Sequence, residues 1–243
     1  MKSASNLIAL VIGLSLLAMV VVWGLRQPSH ANLKYPKIVV GTSDTVYYSH
    51  AATQQDATAL GAALKTIGFF QDKGANVLLS KGRNGTVVSF VVQEGAWDLP
   101  DRILAYEEIG RRIAAPAGGF PIKVRLIDAA QTLHRELSVG KAAVGSRDEV
   151  YYFGDATKAD AEALGKALKA AAYFTDEGAS VELAKGGATA IAFVVSDGAW
   201  ERPEVAAAFV RLVRRIAPSV GGLPITLRLL SPNMEPERES AVR

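Results

Sequence analysis

The fold is decided by a stretch that this chain contains twice. Its first copy, Val40–Gly82, reads VGTSDTVYYSHAATQQDATALGAALKTIGFFQDKGANVLLSKG. Its second copy, Val144–Gly186, reads VGSRDEVYYFGDATKADAEALGKALKAAAYFTDEGASVELAKG, and 24 of 43 positions carry the same residue. After a one-residue deletion, Thr86–Trp97 and Thr189–Trp200 agree at 7 of 12 positions. This agreement indicates a tandem duplication. A residue that both copies share is better explained by a common fold than by one asymmetric reaction.

Length and composition fit two small domains. The chain has 243 residues, of which 49% are hydrophobic, so each copy of about 100 residues can bury a core. A net charge of +3 is weak for a nucleic-acid-binding protein. The chain has no cysteine, which excludes disulfides, thiolate nucleophiles, thiolate zinc sites and lipid attachment at a lipobox cysteine.

An uncharged stretch near the N-terminus predicts a membrane anchor. Leu7–Leu25 (LIALVIGLSLLAMVVVWGL) would span about 28 Å as a helix, close to the hydrocarbon thickness of a bilayer. Trp23 suits the membrane interface, and Arg26 closes the stretch. The alternative is a cleaved signal peptide, with Lys2 as its basic region and Ser29–Ala31 as a small-x-small cleavage site.

The charges that flank this stretch are nearly balanced. Lys2 and the terminal amine precede it, whereas Arg26, Lys34 and Lys37 follow it. A short N-terminal tail before one apolar segment and a long globular part favours export of the globular part. We therefore expect a single-pass protein of the bacterial inner (cytoplasmic) membrane with its soluble part outside the cytoplasm; the opposite sidedness is the alternative.

Both copies predict the same order of elements. In the first copy, periodicity and turn residues indicate a strand, a helix, two strands joined as a hairpin, a helix and a strand. The expected strands are Thr45–Ser49, Ala75–Lys81, Thr86–Val92 and Pro121–Ile127. The first helix is expected to begin at a capping box, Thr53–Asp56, and the second to span Pro100–Ala114. The second copy repeats this order from Glu149–Phe153 to Pro224–Leu230. A short extra strand precedes each copy, at Lys37–Val40 and Glu136–Val139.

This β-α-β-β-α-β order predicts an α+β protein with two ferredoxin-like domains in tandem after one N-terminal transmembrane helix. Residues 1–36 hold the N-terminal tail, the anchor and a short linker. Residues 37–134 and 135–232 form the two repeats, and residues 233–243, rich in proline and charge, form a disordered tail.

The sheet of each repeat is expected to be dry on both faces. In the third strand Val88 and Phe90 occupy one face, while Val87 and Val91 flank Ser89 on the other. We expect the sister repeat, a second protomer or another protein to cover the face opposite the helices. The candidate interface residues are Tyr47, Tyr48, Phe90, Trp97, Tyr151, Tyr152, Phe193 and Trp200.

No reaction centre emerges from the polar residues. The three histidines (His30, His50 and His134) lack metal-ligand spacing and form no Ser-His-Asp pattern. The glycine pairs lie between strands, so they indicate hairpin turns and not phosphate-binding loops. The repeated carboxylates and lysines resemble turn residues. We therefore predict no catalytic, cofactor-binding or metal-binding residue.

Two further features have a structural and a functional interpretation. Trp97 and Trp200 follow Gly-Ala where a strand ends, which favours a wedge between sheet and helix over a ligand platform. The paired tyrosines could stack nucleobases, but basic clusters are missing beside them, so no nucleic acid is expected. Arg211, Arg214 and Arg215 make the last helix basic, either as a solvated terminus or as a contact for anionic lipid or an acidic partner.

Three functions follow as expectations. The first is a non-enzymatic, membrane-anchored accessory subunit or scaffold that binds a membrane or envelope protein. Val46–Phe70 (VYYSHAATQQDATALGAALKTIGFF) loosely echoes the first strand and alanine-rich helix of bacterial SPOR domains. An anchor followed by a β-α-β-β-α-β unit resembles that family in architecture, which implies a second function, binding of peptidoglycan glycan. The third is an enzyme with a site between the two domains. No cofactor is expected.

Overall fold

The computed structural model describes residues 34–83 and 85–243. The predicted anchor, with Leu7, Trp23, Leu25 and Arg26, lies outside these residues. The described chain is α+β, with eleven strands and four α-helices. It divides into two compact units between Glu136 and Leu137, two residues after the expected boundary.

The first unit follows the expected order of elements. Its elements are β1 (Lys37–Val40), β2 (Asp44–His50), α1 (Gln54–Thr66), β3 (Asn76–Gly82), β4 (Gly85–Val91), α2 (Pro100–Ala117), β5 (Ile122–Ile127) and the start of β6 (Leu133–Val144). Strands β1 and β2 pair antiparallel, and so do β3 and β4. Helix α1 connects the parallel pair β2 and β3, and helix α2 connects the parallel pair β4 and β5.

The strand order corrects the expected ferredoxin-like arrangement. Val46 of β2 lies opposite Val77 of β3, and Phe90 of β4 lies opposite Leu126 of β5. The two strands that each helix connects are therefore direct neighbours, whereas the split βαβ of a ferredoxin-like domain has another strand between them. Periodicity predicts which residues form strands, but it does not determine which strands pair.

The second unit has the same pattern. After the end of β6 come β7 (Asp148–Gly154), α3 (Lys158–Ala170), β8 (Ser180–Lys185), β9 (Thr189–Val194), α4 (Pro203–Ile216), β10 (Ile225–Leu230) and β11 (Pro236–Val242). Strand β7 is parallel to β8, β8 is antiparallel to β9, and β9 is parallel to β10.

The predicted disordered tail is wrong, because it forms β11. This strand pairs antiparallel with β10, with Ile225 opposite Val242. Arg228 Nε donates to Glu239 Oε2 at 2.8 Å, and Val242 is buried in the second unit's core. Composition suggested disorder, but the sequence held a contrary signal: Arg238-Glu239 repeats Arg135-Glu136 of β6.

The helices begin and pack as the repeated residues require. Thr53 caps α1 and Thr157 caps α3, each in a reciprocal capping box with an aspartate three residues on, which confirms the predicted boxes. Gly61 permits a close approach, since a Cβ there would lie 2.6 Å from Val40 Cγ2. The sister glycine, Gly165, meets Val144 in the same way. These shared residues set the distance between the first helix and the first strand of each unit.

A smaller apolar cluster lies in the first unit on the sheet face away from the helices. Tyr47, Val91 and Ile127 are buried there, with Leu78 packed against them. The expectation that this face is shielded from solvent is thus confirmed for these side chains. What covers the face stays a prediction.

Candidate functional site

A lysine in each copy binds the capping aspartate of the neighbouring helix. Lys81 Nζ lies 2.8 Å from Asp56 Oδ1, and Lys185 Nζ lies 2.7 Å from Asp160 Oδ1. The Lys81 hydrogen bond, helped by the backbone N–H of Thr53, lowers the pKa of Asp56 to about 2. The Lys185 hydrogen bond does the same for the pKa of Asp160, to about 2. Since both copies hold the same pair, we assign it to joining the strand end to the helix start.

A second repeated carboxylate orders the loop before β3 and its counterpart before β8. Asp44, only 1% exposed, accepts backbone N–H groups from Asp72, Lys73 and Ala75 at 2.7, 3.1 and 2.8 Å. In the second unit Asp148 accepts backbone N–H groups from Asp176, Gly178 and Ala179, of which the first and the last correspond to Asp72 and Ala75. Burial raises the pKa of Asp148, but these backbone donors outweigh it, so the net pKa is lowered. The turn interpretation of the repeated carboxylates fits these bonds.

The two copies differ at the end of the sheet that carries the tryptophans. In the first unit the indole of Trp97 stacks on the imidazole of His134, with ring centroids 3.6 Å apart and planes 7° apart. His134 Nε2 lies 3.0 Å from Asp128 Oδ2, and this hydrogen bond lowers the pKa of Asp128 to about 2. Arg135 Nη1 donates to the Trp97 carbonyl at 3.0 Å.

The second unit keeps the backbone bond and changes the side chains. Arg238 Nη1 donates to the Trp200 carbonyl at 3.0 Å, as Arg135 does to Trp97. Glu237 stands at the position of His134, and Ser231 stands at the position of Asp128. Burial, together with the negative charges of Glu235, Asp197 and Glu201, raises the pKa of Glu237. The Trp-His-Asp arrangement therefore belongs to the first copy alone, and sequence spacing gave no signal of it.

Two of the candidate interface residues, on β4 and β9, lie in the core of their own unit. Phe90 and Phe193 are fully buried. Phe90 packs edge to face on Phe69 and tilted on Tyr106. Phe193 packs edge to face on Tyr173 and tilted on Phe209. These two residues are core, because the helix beside them covers their strand. Trp200 also packs against the core of its unit, as a wedge would.

The paired tyrosines lie on the two faces of β2 and of β7. Tyr47 and Tyr152 are buried, and Tyr48 and Tyr151 are partly buried. The ammonium group of Lys37 lies 5.7 Å from the ring centroid of Tyr47, and that of Lys141 lies 5.9 Å from the ring centroid of Tyr151. The repeated Lys-Tyr contact again belongs to the shared fold.

The remaining candidates offer little for chemistry. His50 Nδ1 lies 3.1 Å from the hydroxyls of Ser49 and Ser80, and Gly154 replaces this histidine in the second copy. Within residues 34–83 and 85–243, no three His, Cys, Asp or Glu side chains are grouped so that they could hold a metal ion. A shallow, open depression on α1 is lined by Gln54, Gln55, Thr58, Ala59 and Ala62.

Comparison with known proteins adds no family. The chain matches no protein-family model, no curated protein and no solved structure. Among the described residues, no helix combines the length and the hydropathy that crossing a membrane requires.

Proposed function

We propose that this chain is a non-enzymatic, membrane-anchored subunit that binds a protein partner chiefly through its first copy. Leu7–Leu25 supplies the single-pass anchor in the bacterial inner membrane, with the two units outside the cytoplasm. The polar clusters that both copies share support a non-catalytic role, because they cap helices and order turns. Function then resides in what the two copies do not share.

The observation that carries the proposal is the uneven distribution of exposed apolar side chains. Val39, Leu99, Leu104 and Leu133 of the first copy are 56%, 53%, 38% and 49% exposed. The second copy has Ala143, Arg202, Ala207 and Pro236 at these positions, although its Leu223 is 42% exposed. Since the second unit folds with small or polar residues there, the fold does not require the apolar ones. Exposed apolar side chains that folding does not need are expected where a partner binds.

The test exchanges the apolar residues for those of the sister copy. Leu99→Arg, just before α2, combined with Leu104→Ala in α2 gives the first copy the residues that the second copy has at these positions, so the variant should fold. Burial of one leucine is worth about 1.5–3 kcal/mol, so the double variant should bind its partner roughly a hundredfold more weakly. The measurement is a pull-down of the full-length protein in mild detergent, with mass spectrometry of stoichiometric partners.

The matched control is Arg202→Ala in the second copy, which should keep the partner. If the pull-down recovers the wild-type protein without a partner, the proposal is wrong. A partner that survives the double variant would place the binding surface elsewhere. Sedimentation of the wild-type protein with cell-wall sacculi, without a protein partner, would instead favour glycan binding.

A further inference from the structure

The second unit presents a set of exposed cations on its two helices. Lys166 and Lys169 lie on α3, and Arg211, Arg214 and Arg215 lie on α4; we call these five residues the basic surface. Arg215 Nη2 donates to the carbonyl of Ala170 at 3.3 Å, which joins the C-terminal end of α4 to that of α3. Arg211 precedes Arg215 by one helical turn, and Lys166 precedes Ala170 by one turn. The basic surface therefore spans both helices.

Carboxylates do not neutralise this surface. Glu162 of α3 binds Lys158 at 3.5 Å, and Asp160 binds Lys185. Glu204 lies in the first turn of α4, away from the three arginines. In the part of the chain that the structure describes, none of the five cations forms a salt bridge.

The first copy shows that the fold does not need this charge. Glu108 occupies the position of Arg211, and its carboxylate binds Arg111 and Arg112, the counterparts of Arg214 and Arg215. Arg112 Nε lies 2.6 Å from Glu108 Oε1. Ala62 occupies the position of Lys166. The same helix pair is thus nearly neutral in one copy and strongly basic in the other.

We infer that the basic surface binds the anionic phospholipid headgroups of the bilayer that holds the chain. Guanidinium groups bind phosphates with paired hydrogen bonds, and each cation near an anionic surface strengthens binding about fivefold. The exposed positions that precede the arginines hold Ala207 and Ala208. Because these side chains are short, they do not keep the longer arginine side chains away from a plane of headgroups.

Nucleic acid fits this surface less well. Sites for single-stranded nucleic acid stack bases on exposed aromatic rings. The single aromatic residue of α3 and α4 is Phe209, which packs against the core of the second unit. The inference rests on the proposed function in one respect: the anchor keeps the basic surface near lipid and raises its effective concentration there.

The absence of cysteine from the chain allows a direct test. Ala208→Cys on α4 and the sister change Ala105→Cys on α2 each provide one attachment point for an environment-sensitive fluorophore. Each labelled full-length protein is inserted into nanodiscs of phosphatidylcholine, with or without phosphatidylglycerol. We expect a quencher on the lipid headgroups to reach the label at position 208 only when phosphatidylglycerol is present. The label at position 105 should not respond to the lipid composition.

Sister residues again provide the variants. Lys166→Ala with Arg211→Glu lowers the charge of the basic surface by three units. The affinity of this surface for phosphatidylglycerol headgroups should then fall roughly a hundredfold, and the quenching at position 208 with it. Arg211→Glu also restores the carboxylate that binds two arginines in α2, so folding should be kept, as near-ultraviolet circular dichroism can verify. The reverse change, Glu108→Arg, should create a response at position 105.

Three results would overturn the inference. They are equal quenching at position 208 with and without phosphatidylglycerol, a response that survives the double variant, and an acidic protein partner that the double variant loses while lipid has no effect. Failure to insert into nanodiscs would count against the anchor alone. The basic surface is then tested by sedimentation of the full-length protein with vesicles of each lipid composition.

Discussion

Ala172 and Gly68 occupy the same position of the repeat, just after the first helix of each unit. Ala172 has φ of +57°, and Gly68 has φ of +77°, so both backbones are left-handed. A residue with a Cβ pays for this conformation with strain, whereas glycine adopts it freely. At Gly68 an added Cβ would meet no atom within 4 Å, so packing does not complicate the comparison.

Exchange of these two residues should change stability in opposite directions. We expect Ala172→Gly to raise the free energy of unfolding by up to about 1 kcal/mol, because released strain outweighs the greater entropy of the unfolded chain. Gly68→Ala should lower it by about 1 kcal/mol for the opposite reason. Urea denaturation of both variants measures the effect. Changes of the same sign in both would contradict the backbone explanation.

The helix starts are the elements whose stability depends most clearly on pH. The pKa values of Asp56 and Asp160 are about 2 in the folded protein, against an ordinary value of 3.8. A carboxyl with a lowered folded pKa stabilises the protein fully above its ordinary pKa and ceases to do so as the pH falls through the folded value. The capping boxes should therefore weaken between about pH 4 and pH 2.

The prediction is a loss of stability in this window that depends on the two aspartates. Free energies of unfolding from urea titrations at several pH values should fall below pH 4 in the wild type. In Asp56→Asn with Asp160→Asn, the fall should be shallower, because neither cap can then be protonated. A pH dependence equal to that of the wild type in the double variant would show that other carboxyls, such as Asp128 and Asp176, account for it.

Strand β11 should contribute to the core of the second unit. Val242 is 1% exposed and belongs to that core, opposite Ile225 of β10. Val242→Ala should lower the free energy of unfolding by about 1–2 kcal/mol, since it removes two buried methyl groups and leaves a cavity. The neighbouring exposed change Ala241→Ser is the control, with an expected effect below about 0.5 kcal/mol. Equal effects in a denaturation experiment would mean that β11 does not pack in solution.

At the scale of the whole chain, duplication separates what the fold needs from what it does not. The Lys81–Asp56 and Lys185–Asp160 pairs, the buried Asp44 and Asp148, and the two helix glycines recur because each unit needs the same turns and packing. The exposed leucines of the first copy and the arginines of the second do not recur. Both proposals rest on these differences: the exposed apolar side chains of the first copy for a protein partner, and the basic surface of the second copy for lipid.

The sequence by itself determined the duplication, the order of helices and strands, and both capping boxes. These features are local: periodicity, cap residues and turn glycines act within a few residues of one another, and a repeat allows each to be checked twice. For residues 233–243 the composition predicts disorder, whereas the repeated Arg-Glu pair indicates the strand that forms there.

Only the tertiary structure decided the strand order, the stack of Trp97 on His134 and the burial of Phe90 and Phe193. Each of these depends on contacts between residues far apart in the chain. An alternating pattern fixes the faces of a strand but not its neighbours, so adjacent and split βαβ units have the same periodicity. Exposure likewise depends on which helix covers which strand, so the sequence could place the three arginines on one helix but not show which apolar side chains stay exposed.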